Sequence, residues 1–92
     1  MDPAILVIDD SEDDVIMIRA ALRNAKIACR VYVACDGEGA IAYLKGEGKF
    51  ADRGEYPVPD LVLLDLKMPK LGGFEVLRWL RQQPQFERRL ES

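Results

Sequence analysis

Ninety-two residues make one domain at most. With 49% hydrophobic and 32% charged residues the composition is that of a soluble globular chain, and a net charge of −3 gives no pull toward nucleic acid. No apolar run approaches the roughly 18 residues a membrane span needs. The start, Met1-Asp2-Pro3, lacks the basic region of a secretory signal. A cytoplasmic location is therefore expected. There is no histidine. That excludes Ser-His-Asp chemistry, histidine metal sites and a phosphohistidine donor within the chain.

The first predicted element is a strand, Ala4 to Ile8. Its run Ile5-Leu6-Val7-Ile8 suits a strand buried on both faces. Ser11 is the expected N-cap of a helix running to about Asn24. Glu12, Asp13 and Asp14 in its first turn complement the helix dipole. Val15, Ile18 and Leu22 recur at helical spacing, with Ile16 and Met17 widening the stripe. A second strand is predicted from Arg30 to Ala34. Cys29 and Cys35 flank it, about 20 Å apart if the run is extended. An internal disulfide needs less than about 7 Å, so two buried thiols are expected.

Asp36-Gly37 turns the chain into a helix of about Glu38 to Lys45, with Ile41 and Leu44 facing inward. Gly46 to Pro59, rich in glycine, proline and charge, reads as an unusually long loop. A third strand follows from Asp60 to Leu64. Lys67 to Gly73 is a second loop. The last predicted helix runs from about Gly73 to Gln83 and stops before Pro84. Phe74, Leu77 and Leu80 form its stripe, flanked by Val76 and Trp79. Gln85 to Ser92 is polar and basic, with no element assigned. The order βαβαβα indicates an α/β fold: a parallel sheet with helices on its faces.

Asp9 and Asp10 close the first apolar run, and Asp65 closes Leu61-Val62-Leu63-Leu64. If these strands lie side by side and parallel, three carboxylates meet at their C-terminal ends. That is where ligands bind in open parallel sheets. Such a cluster repels itself and calls for a hard divalent cation with oxygen ligands, Mg2+ or similar. Asp13 and Asp14 are more simply explained as helix-start acids.

Ile5-Leu6-Val7-Ile8-Asp9-Asp10-Ser11 and Leu63-Leu64-Asp65-Leu66-Lys67-Met68-Pro69, with Gly73 eight residues after Asp65, resemble the receiver domain of two-component response regulators. The likeness covers residues 4 to about 90. It implies a flavodoxin-like sheet of order 2-1-3. It also implies a phosphorylation switch rather than an enzyme. Asp65 would accept a phosphoryl group from a sensor histidine kinase or phosphotransfer protein. Asp10 would hold Mg2+ directly, Asp9 would help, and the backbone carbonyl of Lys67 would be a further ligand. Receivers have five strands and five helices; three of each are predicted here. The 92 residues are thus expected to be a single, incomplete receiver domain. The Ser or Thr of a fourth strand and the Lys of a fifth find no counterpart, since Lys67 and Lys70 lie in the loop after Asp65. Impaired phosphorylation follows from that expectation. So does an exposed third strand, through which two copies would pair as a homodimer. A half-domain that dimerises and no longer signals is the competing reading.

Two weaker readings remain. A haloacid-dehalogenase-type phosphatase also places an Asp nucleophile after a strand, but wants a second acid where Lys67 stands. Arg78, Arg81, Arg88 and Arg89 are sooner helix-end cations than a nucleic-acid patch.

Overall fold

A computed structural model describes residues 2–65, 72–87 and 89–91. The elements run β1 (Ala4–Ile8), α1 (Glu12–Asn24), β2 (Arg30–Ala34), α2 (Gly37–Lys45), a 3-10 turn (Gly48–Ala51), β3 (Leu61–Leu64), α3 (Gly73–Arg81), α4 (Pro84–Glu87) and β4 (Leu90–Glu91). The sheet has the order β2-β1-β3-β4, so the expected parallel order 2-1-3 is present. β1 is central. It pairs with β2 from Ala4↔Arg30 to Ile8↔Ala34, and with β3 from Ile5↔Leu61 to Ile8↔Leu64.

Every residue of β1 is buried. Alternation sends Leu6 and Ile8 to one face and Ile5 and Val7 to the other. Leu6 and Ile8 join Val62, Leu64, Ala40, Tyr43, Leu44, Val76, Leu80 and Phe86 in one core, beneath α2 and α3. Val7 and Leu63 line a cavity of about 370 Å³ together with Ile18 of α1.

Several expectations need correction. Asp60 to Leu64 is not a bare edge. β4 pairs with it in parallel through Val62↔Leu90 and Leu63↔Glu91, and the Val62 amide donates to the Arg89 carbonyl at 2.6 Å. The segment after Pro84, which reads as polar and basic with no element assigned, holds α4 and places Phe86 in the core at 2% exposure. On α3 the buried pair is Val76 and Leu80, one turn apart, while Phe74 is 62% exposed. Leu77 and Trp79 pack at the core's margin. Ile16 and Met17 do not widen the buried stripe of α1; they are 63% and 67% exposed. The cysteines are free but not buried: Cys35 is exposed and Cys29 intermediate, because both sit just outside the strand.

Arg53 ties the long loop to the end of α2. Arg53 donates from Nη1 to the carbonyls of Tyr43 and Tyr56, and from Nη2 to that of Leu44. Helix ends leave carbonyls without intrahelical partners, and here a guanidinium supplies them. Gly46 ends α2 in the left-handed region at φ 71°. A Cβ there would also lie 2.9 Å from Arg53 Nη2.

Candidate metal and phosphoacceptor site

The site is built by register. Ile8, the last residue of β1, pairs with Ala34 on one side and Leu64 on the other. The chain continues the ladder one step beyond each strand. The Asp9 amide donates to the Ala34 carbonyl at 3.0 Å, and the Asp65 amide to the Ile8 carbonyl at 2.9 Å. Asp9 and Asp65 are thereby anchored by main-chain bonds at the C-terminal ends of neighbouring parallel strands.

One carboxylate oxygen from each of Asp9, Asp10 and Asp65 lies within 4.8 Å of the others. Asp9 is buried, Asp65 intermediate and Asp10 exposed, so the cluster opens to solvent on one side. Asp9 Oδ1 accepts from the Ser11 amide at 2.9 Å, which fixes its rotamer. Ser11 in turn caps α1, its Oγ accepting from the Asp14 amide at 3.3 Å. Burial raises the Asp9 pKa above its ordinary 3.8; the Ser11 hydrogen bond opposes this, and the charges of Asp65, Asp14 and Asp10 add to it. A buried carboxylate among like charges is costly when ionised. An all-oxygen donor set of this spacing fits a hard divalent cation, which removes that cost.

The three aspartates expected from the sequence are thus brought together. Lys67, with Met68, Pro69 and Lys70, lies outside the described residues. Asp13 is exposed in the first turn of α1, and Asp14 borders the cavity that Asp9 and Asp65 line. Cys35 lines a groove of about 320 Å³ with Asp9, Asp10 and Glu12, a neighbour the strand pattern did not indicate.

The fold and this cluster define the receiver class. The family model for the response regulator receiver domain matches residues 5–89, and the chain belongs to that family. It is 34% identical over 84 residues to the response regulator Rcp1 of Synechocystis sp., covering 91% of this chain and 55% of Rcp1. The phosphorylated cyanobacterial phytochrome response regulator RcpA superposes with a TM-score of 0.85 at 35% identity, covering 98% of this chain and 63% of that one. The Mn2+-bound form of Rcp1 superposes with a TM-score of 0.83 at 32% identity, covering 96% and 62%. The chain therefore spans a little over half the length of the curated relative Rcp1. Receiver domains work in two-component signalling, with histidine kinases or phosphotransfer proteins as partners.

Proposed function

We propose that Asp65 is the phosphoacceptor of this chain and that Asp9 and Asp10 hold a divalent cation beside it, Mg2+ in the cell. The observation that carries the reading is the meeting of three carboxylate oxygens within 4.8 Å at the ends of adjacent parallel strands. A carboxylate oxygen of Asp65 attacks the phosphorus of a donor's phosphohistidine. The P–N bond breaks, and the leaving imidazole takes a proton from solvent. The donor is a sensor histidine kinase or a phosphotransfer protein. Nothing is turned over: the chain modifies itself, as a switch and not an enzyme. The bound cation supplies charge neutralisation for the phosphoryl oxygens. Asp9, held by Ser11, keeps the carboxylates in register, and the backbone carbonyl of Lys67 is the further ligand the family likeness implies. The Mn2+-bound Rcp1 relative supports the divalent site, and the phosphorylated RcpA relative supports the acceptor.

Residues 1–92 are read as part of a single receiver domain acting in the cytoplasm. The match over residues 5–89 and the 55% share of Rcp1 support that extent. Among the described residues no helix is long and apolar enough to cross a membrane. Pairing of two copies through β3 loses its basis, because Val62 and Leu63 already face Leu90 and Glu91.

The test is incubation with acetyl phosphate and Mg2+, followed by intact mass. One phosphoryl group should add to the parent chain and none to Asp65→Asn. Addition to both proteins, or to neither, removes the assignment.

A further inference from the structure

Two helices of this chain end in the same hydrogen-bond pattern with different residues at its left-handed position. At the end of α2 the Gly46 amide donates to the Tyr43 carbonyl and the Glu47 amide to that of Ala42. At the end of α1 the Lys26 amide donates to the Arg23 carbonyl and the Ile27 amide to that of Leu22, each at 3.0 Å. Glycine makes this turn without a Cβ penalty, as Gly46 does at φ 71°. Lys26 makes it at φ 58°, the one residue other than glycine to do so among those described. A lysine held against the preference of its backbone points to a use for its side chain.

That side chain borders a groove of about 500 Å³ between the end of α1 and the start of β2. Arg19 and Arg23 line it too, and no acid among the described residues does. Three cations thus gather in one place on a chain of net charge −3. The helix dipole accounts for Arg23, in the last turn of α1, but not for Arg19, five positions before the helix ends at Asn24. Arg19 and Arg23 stand one turn apart, where like charges oppose a helix, and no acid lies three or four positions from either. Leu22, Ile27 and Val31 line the same groove, and Ile27 is 50% exposed.

We propose that this groove binds an acidic segment of a partner protein. Its carboxylates meet Arg19, Arg23 and Lys26, and an apolar side chain between them rests on Leu22, Ile27 and Val31. Opposite charge steers such a segment in, and the apolar contact holds it. A compact phosphate would leave the apolar residues in water and would meet the carbonyl end of the helix. Three cations fall short of the roughly 4–8 that mark an anionic lipid site. No aromatic side chain lines the groove to stack a nucleic-acid base. β1 and β2 are parallel, so the groove, at the start of β2, lies at the opposite end of the sheet from the aspartates. The inference therefore stands whether or not Asp65 accepts a phosphoryl group.

The experiment is fluorescence anisotropy of a short labelled peptide that alternates glutamate with leucine, titrated with the full chain up to submillimolar concentration. The parent should bind it, more weakly as salt rises. Peptides of glutamate with serine, or of lysine with leucine, should bind at least about fivefold more weakly. Arg19→Gln with Arg23→Gln should lose at least about fivefold. Arg78→Gln with Arg81→Gln, an equal change of net charge on α3, should stay within about twofold of the parent. Lys26→Gly keeps the turn and relieves its backbone. It should melt higher than the parent yet bind the peptide at least about twofold more weakly, a pairing that a purely structural lysine would not give. Absence of binding by the parent overturns the proposal. So does equal binding of the glutamate–serine peptide, equal loss in the two double variants, or a Lys26→Gly chain that binds as the parent does. Retention on phosphatidylserine vesicles without binding of the peptide would overturn it in favour of a lipid surface.

Discussion

Arg53 Nη1 donates to the carbonyl of Tyr43 at 2.9 Å, while the same guanidinium lies 5.8 Å from the centre of the Tyr43 ring. The two residues hold each other from both sides. Tyr43, 1% exposed, donates its hydroxyl to the Pro57 carbonyl at 2.9 Å. Burial pushes its pKa up to about 12, so it remains a donor across the physiological range. Phe50 and Tyr56 pack around the ring with centroids 5.1 and 6.0 Å away. The long loop is therefore fastened to the end of α2, close to the sheet that carries the aspartates.

Arg53→Met keeps the side-chain stem and removes three hydrogen bonds to carbonyls. A hydrogen bond to a charged group is worth about 1.5–3 kcal/mol. Stability should fall by at least that much, read as a lower urea midpoint. A midpoint equal to the parent's would show the loop to be held by its aromatic side chains alone.

Asp10→Asn should cost divalent-ion affinity without costing the fold, because Asp10 is exposed. Loss of even a supporting partner weakens a metal site by about 10–100-fold, and a direct ligand should cost no less. Parent affinity should itself be weak, since Mg2+ keeps several waters. Calorimetry with Mg2+ and Mn2+ measures both proteins; equal heats would count against the site.

Asp9 ties stability to pH. Its folded-state pKa is raised, by burial first and by neighbouring charges after it. The protonated form is thus the favoured one in the native state. The contribution of this group to stability is full below the unfolded value near 3.8 and is lost as pH rises through the raised folded value. Asp9→Asn cannot lose it, and an amide oxygen can still accept from the Ser11 amide. The metal-free variant should be more stable than the parent at neutral pH, with the difference vanishing below the unfolded pKa. Denaturation at several pH values, read as variant minus parent, measures this. Saturating Mg2+ should narrow the gap by stabilising the parent alone.

On α3, Leu80→Ala should cost about 2–5 kcal/mol, as a buried leucine does. Phe74→Ala, at a site 62% exposed, should stay within about 0.5 kcal/mol. The reverse ranking in chemical denaturation would mean that α3 is rotated from its assigned face.

How legible was this fold? β1 and β2 coincide with their apolar runs, and β3 differs only by Asp60, because a short apolar segment next to polar breakers leaves little choice. The aspartates were legible for the same reason: each ends a strand. On α3 the expected stripe holds at Leu80 and fails at Phe74, since Phe74-Leu77-Leu80 and Val76-Leu80 are both helical spacings and only the sheet decides between them. β4 was not legible. Two residues make no pattern, and Val62, the partner of Leu90, lies 28 positions earlier in the sequence. Arg53 gave no signal either. An arginine in a charged loop looks solvated until the end of α2 is folded beside it.

The register of the sheet makes the chain unequally tolerant of changes in length. Extra residues in the α2–β3 connection that leave Phe50, Arg53 and Tyr56 in place only lengthen a surface segment, and such closure costs grow slowly. One residue inserted inside β3 is different. It turns Asp65 to the opposite side of the sheet, away from Asp9, while leaving its identity and neighbours in sequence intact. Length variation among receivers should accordingly gather in the α2–β3 connection and stop at Leu61.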